Sequence, residues 1–232
     1  MSLRNDWKIF RQGAGAWGLR SALIEQGHYF RARLHERIDR FDARFGTETS
    51  GMVGIGDLDG VGDNGADAVH YWPTRPVDFD RVMAELGEID HRGHVFVDVG
   101  CGKGRVALLA AGLPFKRVVG FDFSPALVER ARENLERYRG PLLTDVELRV
   151  CDAAEFDFPV DDLIVYMFDP FGPVVLTSMI AKLAASARGN GQRITMIYYS
   201  PDYEDIITGG GFELVRQGKG HSFPWQLYRI GF

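Results

Sequence analysis

The sequence has few cysteines, no long apolar run and no spacing of residues typical of a metal site. Only two of the 232 residues are cysteines, and they lie far apart, so we expect a reduced, cytoplasmic setting. No apolar run reaches the ~18 residues that a transmembrane helix requires, and the first ten residues lack the apolar core of a signal peptide. The six histidines show no HExxH or related spacing, so we predict no metal.

The net charge of -5 is unevenly distributed along the chain. Residues 1–45 carry nine Arg and Lys against five Asp and Glu, a balance of +4, which leaves -9 for the remainder. A basic arm on an acidic body could bind an acidic partner, although a solvated helix face is the simpler interpretation. The acidic body makes a nucleic acid an unfavoured partner, because affinity for nucleic acids depends largely on neutralising phosphates.

The first 90 residues predict a helical extension and a long loop. Between residues 17 and 45 the apolar residues recur at steps of three and four, which is typical of an amphipathic helix. Residues 47–76 are rich in Gly and Asp and predict a loop long enough to act as a lid. Asp78 is then expected to cap a helix that runs to about Ile89.

From residue 91 to residue 232, apolar strands alternate with helices. The predicted strands are HVFVDV, RVVGFD, VELRVCD, DLIVYMFDP, QRITMIYYS, FELVRQGKG and PWQLYRIGF. Such alternation predicts a Rossmann-like α/β domain with a mostly parallel seven-stranded sheet and helices on both faces. The last two strands have no helix between them and should form an antiparallel hairpin at one side of the sheet.

The stretch VDVGCGKGR, residues 97–105, predicts a ligand site at the end of the first strand. Gly100, Gly102 and Gly104 stand at alternate positions, where they allow a tight turn and a close approach of a ligand to the backbone. The helix that opens at Gly104 presents free N–H groups to a polar group. The pattern G-x-G-x-G lacks the third glycine of the dinucleotide fingerprint and does not match the phosphate-binding P-loop.

Two further acidic residues end the next two predicted strands. Asp122 follows the second strand, where a carboxylate can accept hydrogen bonds from both hydroxyls of a ribose. Asp152, followed by Ala153, ends the third strand, which places a carboxylate near the adenine side of such a pocket. The pattern therefore favours a ligand that contains a nucleoside, and the sequence shows no signature of dinucleotide binding.

This combination resembles the class I S-adenosylmethionine-dependent methyltransferases over about residues 91–232. The stretches VDVGCGKGR, GFDFSP, VCDA and MFDPFG look like four motifs of that superfamily, in order and each at a predicted strand end. FDARFGTETSG, YWPT, DVGCGKGR and YYSP look like a poorly characterised bacterial branch of it. The first motif also resembles the histone-lysine methyltransferases that lack a SET domain. The resemblance implies S-adenosyl-L-methionine as cofactor.

The resemblance also implies roles for individual residues. Asp98 and the backbone of Gly100, Gly102 and Gly104 would hold the methionine end of the cofactor, and Asp122 would hold its ribose. The adenine side would be formed by Phe123, Asp152 and Ala153, and a lid would be formed by Tyr71 and Thr74. Plain structural roles stay open for three of these residues: a helix cap or turn for Asp98, core packing for Phe123 and a turn for Asp152.

The fourth motif predicts the catalytic residues. Amino-group methyltransferases of this class carry [DN]-P-P-[YFW], in which a side-chain oxygen and a backbone carbonyl hold the amine. Asp169 and Pro170 match that motif, whereas Phe171 and Gly172 depart from it, which leaves the target atom open. Tyr199, at the end of the fifth strand, is expected to face the substrate.

The resemblance favours an amine nitrogen as methyl acceptor, either on a protein lysine or on a small molecule. Two alternatives remain open. The first is a nucleic-acid methyltransferase that uses the basic arm, and the second is a module that binds the cofactor without catalysis.

Overall fold

A computed structural model describes residues 40–53, 71–221 and 223–231. The helix predicted over residues 17–45 falls outside these ranges except for its last turn, which forms α1 (Phe41–Phe45). Residues Phe41–Phe232 make up one compact unit, and the division of the chain after residue 90 stays a prediction. Within the described ranges, no helix is both long enough and apolar enough to cross a membrane.

A seven-stranded sheet forms the centre of this unit and confirms the predicted fold class. Its strands lie in the order β3-β2-β1-β4-β5-β7-β6. The neighbours from β3 to β5 pair in parallel, and β7 pairs antiparallel with β5 and with β6. The strands are β1 (His94–Val99), β2 (Arg117–Asp122), β3 (Val146–Val150), β4 (Asp162–Phe168), β5 (Ile194–Tyr199), β6 (Glu213–Lys219) and β7 (Pro224–Ile230).

Helices connect the strands and cover both faces of the sheet. After α1 they are α2 (Pro76–Ala84), α3 (Arg105–Ala111), α4 (Pro125–Arg137), α5 (Pro173–Asn190) and α6 (Glu204–Gly209). Ser124 caps α4, because its hydroxyl accepts a hydrogen bond from the Leu127 N–H at 3.4 Å and Pro125 opens the first turn.

The prediction that Asp78 caps a helix up to Ile89 is wrong on both counts. Pro76 begins α2 with Arg75 as its N-cap, since proline suits a first turn where its missing N–H costs nothing. Asp78 lies inside that turn, where its buried carboxylate accepts hydrogen bonds from the backbone N–H of His221 and pairs with its ring Nδ1, at 2.8 and 2.9 Å. The helix ends at Ala84, ahead of a left-handed turn at Gly87 with φ of 76°.

The strand order reverses between β1 and β4. From these two strands the chain runs outward in opposite directions, which makes their carboxyl ends the switch point of the sheet, where ligands of open α/β sheets bind. Val99 lies opposite Met167 in the register of the pair. The glycine loop after β1 and the MFDPFG motif after β4 therefore share one edge of the sheet.

Candidate functional site

The glycine loop adopts a backbone that glycine alone supplies at low cost. Gly100, Gly102 and Gly104 all have positive φ, at 68°, 51° and 85°. A Cβ atom at Gly100 would lie 2.6 Å from the Cβ of Pro170, which is closer than two carbon atoms tolerate. The first and fourth motifs are therefore in direct contact.

Asp98 is the acidic residue at the floor of this loop. It is 3% exposed, and its Oδ2 accepts a hydrogen bond from the Ala107 N–H in the first turn of α3 at 3.0 Å. Burial raises the pKa of Asp98 to about 8, and the nearby Asp122 carboxylate adds to the rise. The residue thus supports the helix, and its role toward a cofactor stays a prediction.

Asp122 ends β2 and holds the glycine loop from the other side. Its Oδ2 accepts a hydrogen bond from the Gly102 N–H at 3.0 Å, and its Oδ1 accepts one from the Ser124 N–H at 2.9 Å. Burial raises the pKa of this carboxyl group to about 6. Neither Asp98 nor Asp122 forms an ion pair within the described ranges, so the two make a buried acidic pair that a cationic group would stabilise.

Of the residues predicted for the adenine side, Asp152 and Ala153 lie in the turn after β3, and Phe123 follows β2. Asp152 accepts a hydrogen bond at Oδ1 from the Ala154 N–H at 2.8 Å, as expected for an aspartate that begins a turn. The backbone N–H of Cys151 donates to the carbonyl of Asp122 at 3.0 Å, which fixes this turn beside the acidic pair. Ala153 is buried and Phe123 is half-buried. Contact of these residues with an adenine stays a prediction.

Residues 47–51 and 71–74 form what we call the strap, which lies against the glycine loop. The Tyr71 hydroxyl donates to the Thr49 carbonyl at 2.8 Å, and the Tyr71 ring packs on Gly102 so closely that a methyl group there would overlap it. Thr74 Oγ1 and the Tyr166 hydroxyl share a hydrogen bond of 2.8 Å. A cavity of about 20 Å³ between strap and loop has Tyr71, Thr74 and Asp98 among its lining residues. The lid role predicted for Tyr71 and Thr74 remains a prediction.

Two basic residues of the first motif bind the strap and were not singled out from the sequence. Lys103 Nζ donates to the carbonyls of Ser50 and Gly51 at 2.6 and 2.9 Å. Arg105, which is 1% exposed, donates from Nε to Thr49 Oγ1 and from one terminal nitrogen to Ser50 Oγ, both at 2.7 Å. The sequence signal that could have identified these contacts is the presence of two charged residues, Lys103 and Arg105, in a glycine-rich motif where small residues would also fit.

The strap also surrounds Asp42 of α1. Burial alone would raise the pKa of Asp42, but hydrogen bonds from Thr49, Ser50 and Thr47 outweigh it and hold that pKa well below its usual range. Arg105 lies 3.8 Å from the same carboxylate. A partly buried ionic network therefore anchors the strap in addition to the packing of Tyr71 on Gly102.

Replacing Arg105 with alanine is expected to destabilise the protein by about 3 kcal/mol, because the change removes the donors that hold Thr49 and Ser50 and takes a cation from the Asp42 carboxylate. Urea unfolding measures this free energy. Arg132→Ala is the matched control: its guanidinium is half-exposed and pairs with Glu129 at 3.4 Å, so a loss below about 1 kcal/mol is expected. Equal losses for the two variants would contradict the anchoring role.

Asp169 lies at the end of β4, beside the glycine loop. Its φ is 34°, and its Oδ1 accepts a hydrogen bond from the Tyr198 hydroxyl at 2.9 Å. Pro170 follows it and rests on Gly100. The geometry therefore brings the predicted catalytic pair to the edge where the predicted cofactor residues also meet.

The structure brings Tyr198, rather than Tyr199, to Asp169. Successive side chains in a strand point to opposite faces, and Tyr199 faces the side covered by α2. It is 2% exposed, and its ring packs against Phe168 with 5.0 Å between centroids. Burial and the Asp78 carboxylate raise the pKa of its hydroxyl. A substrate contact for Tyr199 stays a prediction. Tyr198 was missed because the sequence does not show which face of β5 lies on the same side of the sheet as Asp169.

Comparison with known proteins shows which family this part of the chain resembles. Residues 96–191 match the family described as "Methyltransferase domain". A ribosomal protein L11 methyltransferase of Burkholderia multivorans is 39% identical over 72 residues, which are 31% of this chain and 24% of that protein. The chain thus matches about a quarter of the length of this relative.

Two solved structures share the fold at low sequence identity. A SAM-dependent methyltransferase of Leishmania major superposes with a TM-score of 0.51 at 13% identity, covering 66% of this chain and 71% of that one. A protein of Pyrococcus horikoshii OT3 superposes with a TM-score of 0.50 at 18% identity, covering 65% and 87%. Residues 96–191 therefore match a methyltransferase domain, and they form part of a Rossmann-like sheet of the fold that these two structures share.

Proposed function

We propose that the protein transfers the methyl group of S-adenosylmethionine to an amine nitrogen, on a protein lysine or on a small molecule. The observation that carries this proposal is the buried acidic pair of Asp98 and Asp122 at the switch point of the sheet. S-adenosylmethionine is positively charged at its sulfonium and its ammonium group, whereas NAD and ATP carry phosphates. An acidic pocket favours the first and repels the others.

The residues of the site fit the parts of that cofactor. Asp98 lies where it can attract the cationic methionine end, and Asp122 lies at the strand end suited to a ribose diol. The bound cofactor supplies an electrophilic methyl group on its sulfonium. The protein's own task is to align the nucleophile with that carbon and to accept hydrogen bonds from it.

Asp169 is suited to hold an amine acceptor. A carboxylate accepts hydrogen bonds from N–H groups and stabilises the positive charge of an alkylammonium product. Its position after β4, next to Pro170 and the glycine loop, supports a role beside the proposed methyl donor. The half-buried aspartate, at a left-handed backbone position, favours catalysis over a module that only binds the cofactor.

The relatives favour a protein as acceptor. The matched L11 methyltransferase is named for a ribosomal protein, and the acidic groups of this site suit a cationic side chain. A nucleic acid is the alternative acceptor, supported by the balance of +4 over residues 1–45 and opposed by the acidic remainder of the chain.

Thermal shift measures the cofactor preference directly. S-adenosylmethionine and its demethylated product at about 100 times their dissociation constants should each stabilise the protein by about 2.7 kcal/mol, and NAD and ATP should not. Asp122→Ala should raise both dissociation constants about 10-fold, since two hydrogen bonds to the ribose are lost. Stabilisation by NAD without stabilisation by either sulfur nucleoside would overturn the proposed function.

A labelling assay identifies the acceptor class. The protein is incubated with methyl-labelled cofactor and a cell extract, and portions are then treated with protease or with nuclease. Loss of macromolecular label on protease treatment supports a protein acceptor, and label that stays in the small-molecule fraction supports a metabolite. Loss of label on nuclease treatment would replace the amine proposal with the nucleic-acid alternative.

A further inference from the structure

Two neighbouring strand ends carry unusual backbone conformations. Asp169 follows β4 with φ of 34°, and Ser200 follows β5 with φ of 57°. Neither residue is glycine, and left-handed conformations of such residues cost on the order of 1–3 kcal/mol and persist where the surroundings fix them. Because β4 and β5 are adjacent, both positions lie at one place on the sheet edge.

The side chain of Tyr198 connects these two strand ends. Tyr198 lies in β5 opposite Met167 of β4, and its hydroxyl donates to Asp169 Oδ1 at 2.9 Å. The same hydroxyl accepts a hydrogen bond from the Asp202 N–H at 3.3 Å. Tyr198 is 1% exposed, so its ring is fixed by the core while its hydroxyl reaches the edge.

The hydroxyl acts here as a hydrogen-bond donor and not as a base. Burial raises the pKa of Tyr198, and the carboxylate of Asp169 and then that of Asp202 raise it further. The phenol therefore stays protonated, and its one proton points at Asp169. Core packing alone would be served equally by phenylalanine, so the hydroxyl needs another explanation.

We propose that Tyr198 is a positioning residue that fixes the Asp169 carboxylate in the orientation required to hold the methyl acceptor. This inference rests on the proposed function, because it assigns Asp169 to the acceptor. The hydrogen bond restricts rotation of the Asp169 side chain and favours its ionised form. The carboxylate is thus aligned before the acceptor arrives, which is the arrangement that lowers the cost of orienting a nucleophile.

Tyr198→Phe tests the proposal in a double-mutant cycle with Asp169→Asn. We expect Tyr198→Phe to lower turnover per folded molecule about 10-fold at saturating cofactor, with the dissociation constant for S-adenosylmethionine unchanged. In the Asp169→Asn background the same change should have little further effect on turnover, because the group it positions is already lost. The two substitutions should also be non-additive in the free energy of unfolding, which needs no activity assay.

Tyr228→Phe is the matched control, since Tyr228 is equally buried and its hydroxyl donates to Gln226 Oε1 at 2.6 Å, away from Asp169. It should lower stability similarly and leave turnover unchanged. The positioning role of Tyr198 would be overturned if Tyr198→Phe and Tyr228→Phe had equal turnover. It would also be overturned if the effects of Tyr198→Phe and Asp169→Asn on turnover multiplied. Either result would leave the proposed function standing. Absence of any methyl transfer by the unmodified protein would overturn the proposed function together with this inference.

Discussion

Asp169→Ala is expected to cut methyl transfer about 100-fold while the affinity for S-adenosylmethionine stays nearly unchanged. The reason is position: Asp169 follows β4, whereas Asp98 and Asp122 belong to β1 and β2. Loss of an interaction made with the acceptor during transfer lowers kcat, and loss of a cofactor contact raises the dissociation constant of the cofactor instead. Single-turnover transfer at saturating cofactor, together with a binding titration, separates the two quantities.

Asp162→Ala is a suitable control for this experiment. Asp162 begins the same strand, and its carboxylate lies at the opposite end, where it accepts hydrogen bonds from Arg193. The change should cost some stability and leave turnover per folded molecule unchanged. If Asp169→Ala transfers methyl groups as fast as Asp162→Ala, then Asp169 is a structural turn residue and not part of the catalytic site.

Asp98→Asn is expected to weaken cofactor binding about 10- to 100-fold while it stabilises the free protein at pH 8. The pKa of Asp98 is raised in the folded state to about 8, against about 4 in an unfolded chain. The folded protein therefore binds the proton more tightly, and the unfolding free energy falls as pH rises from about 4 through about 8. An asparagine carries no charge, and its amide oxygen can still accept the hydrogen bond from the Ala107 N–H.

The pH dependence of stability and of binding should run in opposite directions. The affinity for S-adenosylmethionine should increase as pH rises through about 6 and about 8, because Asp122 and then Asp98 become ionised. In Asp98→Asn, the change of stability and of cofactor affinity near pH 8 should disappear. At pH 8 the free energy of unfolding of this variant should exceed that of the unmodified protein by about 1 kcal/mol or more, or ~3 °C in Tm. Tm and dissociation constants measured from pH 5 to 9 give both curves.

Asp157→Asn, at an exposed position, controls for a general effect of removing one negative charge. It should leave both pH curves as they are in the unmodified protein. If the cofactor dissociation constant had the same pH dependence near pH 8 in the unmodified protein and in Asp98→Asn, that result would show that Asp98 does not contact the cationic part of the cofactor.

The sheet and the glycine loop were predictable because their signals are local. The apolar runs before Val99 and Asp122 are as long as single strands, and Gly100 and Gly102 stand where the backbone turns left-handed. Long-range partners were not predictable in the same way. Asp78 looks like a helix cap from its neighbours, yet its partner His221 lies 143 residues away.

The choice between Tyr198 and Tyr199 illustrates the same limit. Both residues are aromatic, adjacent and at the end of a predicted strand, so composition and spacing do not distinguish them. Their difference arises from the pleat of β5 and from its pairing with β4, which sends one ring toward Asp169 and the other under α2. Arg105 was missed for a related reason, because its partners lie in a segment more than 50 residues earlier in the chain.

The strap matters for anyone who wishes to shorten this protein. The family match begins at residue 96, which suggests a convenient cloning boundary just before β1. A fragment cut there would keep the guanidinium of Arg105 and the ammonium of Lys103 but lose every oxygen that they bind in residues 49–51. The smallest self-sufficient fragment therefore has to retain α1 and the strap, and a chimera that exchanges the glycine loop has to exchange residues 42–51 with it.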